Sequence, residues 1–255
     1  MTVSPAALAA LVLVALLAGT VDAIAGGGGL LTVPALLAAG LPAHLALGTN
    51  KGQSVWGSGA AMIAFARAGK LDRARARVTL PGGFVGSVGG SALVLGVPPA
   101  ALKPVVLALL VGVAGFFAFR RSGSPALRRV AWKNPRLVAA VLALVIGTYD
   151  GFFGPGTGTF LIVGFTVLLG STLTEASADA KVVNFASNLA AVVVFGAKGT
   201  ILWQIALPMA AAQLAGGSLG AHLAVRGGDR VVRRVVLGVV TVLVAKLAWD
   251  LVVRR

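Results

Sequence analysis

Two aspartates in apolar surroundings are the residues of this chain best placed to do chemistry. Asp22 lies in Gly19-Thr-Val-Asp-Ala-Ile-Ala-Gly-Gly-Gly28, and Asp150 lies in Gly147-Thr-Tyr-Asp-Gly-Phe-Phe-Gly-Pro-Gly156. Five positions of this motif recur at a constant offset of 128 residues. An ionisable group inside a membrane segment costs about 2.5–3.5 kcal/mol on insertion scales, so two at matching positions point to work done by the carboxylate. That work is proton carriage, or capping of the backbone N–H groups of the helix that follows. The two roles are compatible, because a cap that takes up a proton loosens the loop it holds. Around the aspartates, Gly26, Gly27, Gly28 and Gly29 form one glycine cluster, and Gly154, Gly156 and Gly158 form the other. Such glycines can turn N–H groups toward a ligand, and a helix N-terminus adds a positive dipole end. Together these make an anion cradle, with Thr157 as a hydroxyl donor in the second copy. The plainer reading is that the glycines only let the chain reverse. A nucleotide phosphate loop is not indicated, since the strand and Walker lysine are missing.

A second pair of groups follows each motif. Lys51 stands among Thr49, Asn50, Gln53 and Ser54, and Lys181 precedes Asn184, Ser187 and Asn188. Asn184 and Asn188 are four residues apart and so share a helix face. An ammonium among amides and hydroxyls suits a small oxyanion; the alternative is a lysine snorkelling from a helix end to the headgroups. His44 and His222 have no second ligand at metal spacing, so neither a metal nor another cofactor is expected. Glu175 and Asp179 read as part of an exposed loop.

The elements that must position these groups are apolar helices. Ten hydrophobic segments are expected: 5–24, 29–40, 44–66, 78–97, 101–119, 137–153, 157–170, 177–197, 201–223 and 232–251. The second and seventh reach only about 18–21 Å as helices, less than a hydrocarbon core of about 30 Å. Both directly follow a glycine motif, and both read as half-helices. The expected fold is therefore an all-α polytopic membrane protein of two homologous halves, residues 1–119 and 137–255, joined by a basic cytoplasmic linker at 120–136. Each half has a glycine-interrupted first helix, a half-helix and three full spans. Lys51, Phe65 and Gly69 match Lys181, Phe195 and Gly199 at offset 130, and Pro81 with Gly89-Gly90-Ser91 matches Pro208 with Gly216-Gly217-Ser218 at offset 127. Five segments per half is an odd number, which makes the repeats inverted and puts both termini outside. Gly82, Gly86 and Gly90, like Gly216 and Gly220, have the spacing that lets helix backbones approach closely. Those faces serve contacts within one chain or between chains, so a homo-oligomer is compatible with them.

Composition restricts the functional classes. Charged residues are 11% of the chain and hydrophobic residues 58%, against about 25% charged in soluble domains. The chain is read as a multi-pass protein of the cell (inner) membrane, with the lipid bilayer as its surroundings. The net charge of +15 would by itself point to nucleic acid, but 15 of the 22 basic residues fall in 67–77, 120–136 and 226–234. Short basic loops between spans are the positive-inside signal, so no nucleic-acid partner is expected. The chain has no cysteine, which removes thiol catalysis and disulfides. Residues 5–18 lack a preceding Lys or Arg and run straight into the first motif, so they read as a retained span.

Asp22 with Ala25-Gly-Gly-Gly-Gly29, Pro34 and Leu47-Gly-Thr-Asn-Lys51 resembles the sulfite exporter (TauE/SafE) family, also called the toluene-sulfonate uptake permease family. Gly154-Pro-Gly-Thr-Gly158 and Lys181-x-x-Asn184 are similar to that family's second half. The resemblance spans nearly the whole chain. It implies a bacterial inner-membrane permease for sulfur-containing anions such as sulfite or sulfonates. The second half departs from it, reading Ala178-Asp-Ala-Lys181 where the first has Gly-Thr-Asn-Lys, so a symmetric site is not implied.

The functional expectation is a secondary transporter of a small anion. The glycine clusters, Asn50, Lys51, Lys181, Asn184 and Asn188 would bind the substrate, and Asp22 and Asp150 would couple protons or cap the loops. Two rivals remain open. One is an intramembrane enzyme in which Asp22 and Asp150 share a proton; the other is a membrane subunit that does not transport.

Overall fold

The computed structural model describes residues 3–119 and 132–253; most of the expected linker lies outside the described residues. The protein is helical, with α1 (Pro5–Ala25), α2 (Gly29–Ala38), α3 (Ala43–Arg67), α4 (Arg73–Leu95), α5 (Pro99–Phe119), α6 (Pro135–Phe152), α7 (Thr157–Leu169), α8 (Leu173–Ala197) and α9 (Trp203–Val253). Four of these, α1, α4, α6 and α8, are long and apolar enough to cross a membrane, and the whole is a multi-pass membrane protein.

Local chemistry sets the ends. Ser4 caps α1 ahead of Pro5, and Asn134 caps α6 ahead of Pro135, the positions where a missing N–H costs nothing. α1 ends at Gly26, whose φ of 79° is left-handed and closes the helix by donating to Asp22 O. Thr172 and Glu175 form a capping box on α8.

Several expected boundaries move. α4 begins at Arg73 rather than 78, because Asp72 caps it by accepting from the N–H groups of Ala74 and Arg75; Arg73, Arg75 and Arg77 are therefore helical. Glu175 and Asp179 lie in α8, not in a loop, and Asp179 is buried. The segments expected at 201–223 and 232–251 are joined in α9 by a kink at Gly228 (φ 57°, ψ −157°). The third basic cluster lies at this kink, with no separate loop.

Backbone-to-backbone contact between helices organises the packing. On α4, Gly82, Gly86 and Gly90 meet Ala140, Leu144 and Thr148 of α6, while on α9 Gly216 and Gly220 meet Leu16 and Thr20 of α1. A side chain at Gly86, Gly90, Gly216 or Gly220 would run into a carbonyl oxygen of the facing helix. These neighbours pair Gly86 with Gly216 and Gly90 with Gly220, an offset of 130. The sequence match at offset 127 instead sets Gly89 and Gly90 against Gly216 and Gly217.

One end of the molecule gathers the described residues of the basic segments. Arg75 pairs with Asp179 and donates to Ser171 at 2.8 Å. Asp229, at the α9 kink, accepts from the N–H groups of Leu173 and Thr174. Trp132 donates its indole N–H to Leu168 O, at the end of α7. The first turns of α1 lie at the other end, where Leu11 packs with Leu36, Leu41, Ile205 and Met209.

Candidate functional site

The two glycine turns cross at the centre of the molecule. Gly26 and Gly158 touch backbone to backbone, so neither tolerates a Cβ, and Gly29 rests on Pro155. Thr159 Oγ1 donates to Ala25 O at 2.8 Å and ties the α7 N-terminus to the end of α1. Gly26, Gly154 and Gly156 have φ of 79°, 96° and 85°, a left-handed conformation strained for any side chain.

Each lysine reaches across to the aspartate of the opposite motif. Lys51 Nζ donates to Asp150 Oδ1 at 2.6 Å, and Lys181 Nζ donates to Asp22 Oδ2 at 2.7 Å. The lysines are 2% and 0% exposed, which rules out snorkelling for both. α3 and α8 place them about two turns inside the starts of their helices. The carboxylates are not equivalent. Asp150 is 5% exposed and also accepts from the hydroxyls of Thr157 (3.1 Å) and Ser187. Asp22 is 23% exposed; besides Lys181 it accepts from Gly28 N–H at 3.2 Å. Asp22 thus caps the turn before α2, whereas Asp150 holds the start of α7 through a threonine hydroxyl. Each carboxylate has a lysine as its charged partner, and no hydrogen bond joins the two carboxylates.

These groups surround a cavity of about 30 Å³, lined by Asp22, Gly26, Gly28, Gly29, Asn50, Lys51, Asp150, Gly154, Thr157, Gly158, Asn184 and Asn188. Three residues of the expected site lie outside the lining: Gly27, Gly156 and Lys181. Lys181 reaches Asp22 without lining the cavity itself. A volume of this order accommodates one water molecule.

Amides and hydroxyls fix the rest. Asn50 Oδ1 accepts from Thr32 at 2.6 Å and from Gln53 at 3.0 Å. Asn188 donates to Ser58 Oγ at 3.4 Å, and Asn184 Oδ1 is buried without a hydrogen-bond partner. A buried polar atom left unpaired costs about 1–3 kcal/mol, so the cavity carries an unmet polar demand at Asn184. Gln213 of α9 also lines the cavity and packs on Gly19 and Gly57. The sequence reading missed it; its signal is an amide at the middle of an apolar span. Thr32, the buried partner of Asn50, was missed as well, since a threonine in a helix is usually satisfied by its own backbone.

Residues 11–247 match the sequence profile of the family described as sulfite exporter TauE/SafE. Relatives include the probable membrane transporter protein ORF9 of Sinorhizobium sp, 36% identical over 95% of this chain and 93% of that protein. The probable membrane transporter protein YfcA of Escherichia coli K12 is 36% identical over 97% and 92%. A probable membrane transporter protein of Haemophilus influenzae is 36% identical over 95% of each chain. No solved structure matches the chain.

Proposed function

The chain belongs to the sulfite exporter TauE/SafE family, a family of membrane transporters, and on that premise we propose that it is a secondary transporter moving sulfite, a sulfonate or a similar small sulfur oxyanion across the cytoplasmic membrane. The observation that carries this reading is the pair of crossed glycine turns with Lys51 on Asp150 and Lys181 on Asp22 around one cavity. Irregular backbone at membrane depth is tolerated where it is buried or lines a cavity. Matching interruptions in two halves point to a transporter's binding site.

The same contacts support inverted repeats with half-helices. Exchanging the halves exchanges one ion pair for the other. α2 turns back toward the end where α1 begins, and α7 toward the end where α6 begins. With the basic end taken as cytoplasmic, the first half starts outside and the second inside.

Charge balance argues for proton coupling. Two lysines and two aspartates make the site neutral. A monovalent anion that takes a lysine from its carboxylate leaves that carboxylate unpaired in a medium where an isolated charge is expensive. A proton on the displaced aspartate restores neutrality. Asp22 is the more exposed carboxylate and is held by fewer donors than Asp150. Asn184, Asn188, Asn50 and Thr157 orient the anion, and the helices must part to admit it, since the cavity holds only about one water.

The test is uptake of labelled sulfite, thiosulfate and a sulfonate panel into proteoliposomes, with and without a proton gradient. Saturable flux of one anion, driven by the gradient and abolished in Asp22→Asn/Lys181→Met, is expected. Flux that is saturable but indifferent to the gradient removes the coupling role. No flux of any anion by folded protein removes the substrate class.

A further inference from the structure

A second and much larger concavity opens on the membrane-facing side between α3, α8 and α9. Its volume is about 1050 Å³, that of a site for a large ligand. The walls are apolar, with Ile63 on α3, Phe185 and Leu189 on α8, and Leu214 on α9. The charged and titratable lining residues are Arg67 and His222; Ser218 lies lower, where its neighbour Gly217 meets Gly57 of α3. Arg67 is exposed and makes no ion pair within the described residues. It stands at the end of α3 that leads into the basic cluster.

We propose that this groove is a binding site for one anionic phospholipid of the surrounding bilayer, its headgroup on Arg67 and His222 and its chains along α3. Length supports this occupant. From Trp56 to Arg67 the α3 wall covers about 17 Å, close to one leaflet of a hydrocarbon core of about 30 Å. Charge supports it too: basic pockets between spans on the cytoplasmic side select anionic headgroups, and His222 adds a hydrogen-bond donor for phosphate oxygens. Trp56 and Trp203, both partly exposed, close the deep end. A second copy of the chain would not need a cation placed at the headgroup level. The location gives the lipid leverage on the central site. Val55 and Leu214 line the groove, while their neighbours Ser54 and Gln213 line the central cavity. One helix thickness separates the two, and α3 and α8 carry both lysines.

Brominated lipids test this directly. The protein carrying Trp132→Phe and Trp249→Phe retains Trp56 and Trp203 as groove reporters. It is reconstituted with chain-brominated phosphatidylglycerol or phosphatidylcholine at equal mole fraction, and tryptophan quenching is measured. Preferential quenching by the anionic lipid of about fivefold or more in relative affinity is expected, the worth of one basic residue at an anionic surface. Arg67→Gln/His222→Gln should bring the ratio to about one, with the melting transition of the protein unchanged. Equal quenching by both lipids in the parent protein overturns the proposal. A preference that survives Arg67→Gln/His222→Gln assigns the selectivity elsewhere and also overturns it. Protection from every brominated lipid, with cross-linking through Ile63→Cys, gives the groove to a second copy.

Discussion

Lys51 and Asp150 are 99 residues apart in sequence and meet at 2.6 Å, both almost fully buried. The ion pair joins α3 of the first half to α6 of the second. Lys181 of α8 and Asp22 of α1 make a second such pair, so each ion pair joins a residue before Arg120 to one after it. Breaking a buried pair by removing one partner costs about 3–5 kcal/mol, chiefly from the stranded charge, whereas replacing both partners by neutral groups is far milder. Lys51→Met alone should therefore lower the melting transition or the yield of folded protein sharply. Lys51→Met/Asp150→Asn should recover folding and remain inactive in the uptake assay. A double variant as unstable as the single one would show that the charges are not what holds the helices together.

The crossing of the turns predicts a steep contrast among glycines. Gly26→Ala places a methyl group into the Gly158 backbone at a left-handed φ, and the loss of transport should be complete, with destabilisation beyond the roughly 1 kcal/mol of strain alone. Gly89→Ala, on α4 with open space around it, should be neutral or stabilising by up to about 1 kcal/mol, since alanine is the better helix former. Thermal melts in detergent compare the two. Equal tolerance at both positions would contradict the observed contact.

Asn184 offers a separation of stability from affinity. Its Oδ1 is buried and unpartnered beside the cavity. Asn184→Leu removes an unmet polar group and should leave the melting transition unchanged or raised. In the uptake assay the same variant should raise KM by about tenfold, the loss of one hydrogen bond to a charged substrate of roughly 1.5 kcal/mol. An unchanged KM would take Asn184 out of the binding set.

The α9 kink carries a pH-dependent tie. Asp229 caps α8 from outside the spans. Its burial works against the charged form, but hydrogen bonds from the Thr174 hydroxyl and the N–H groups of Thr174 and Leu173, with the charge of Arg233, outweigh this and hold its carboxyl below the usual range. A carboxyl with a lowered folded-state pKa contributes stability above its unfolded value of about 3.9, and loses it as the pH falls toward the folded value. Asp229→Ala should cost about 1 kcal/mol at pH 7, the worth of a helix cap. The gap from the parent protein should narrow as the pH drops below about 4. Melting curves at pH 7 and across the acid range provide the check; a gap that stays constant would mean the carboxylate charge is not involved.

By itself the sequence determined the membrane class, the positions of the glycine interruptions and most of the cavity lining. These follow from local facts. Sparse charge over spanning lengths requires helices, and a carboxylate beside clustered glycines in an apolar run marks a costly and therefore purposeful break. Twelve of the fifteen residues expected at the site line one cavity because each belonged to a short motif readable without its neighbours. The partnership of Lys51 with Asp150 and of Lys181 with Asp22, the burial of Asp179 and the place of Gln213 were decided only by tertiary structure. They depend on which helix face meets which across separations of 99, 159 and 104 residues for the three ion pairs. Which glycines of α4 and α9 face α6 and α1 was decided the same way, by the fit of one backbone against another.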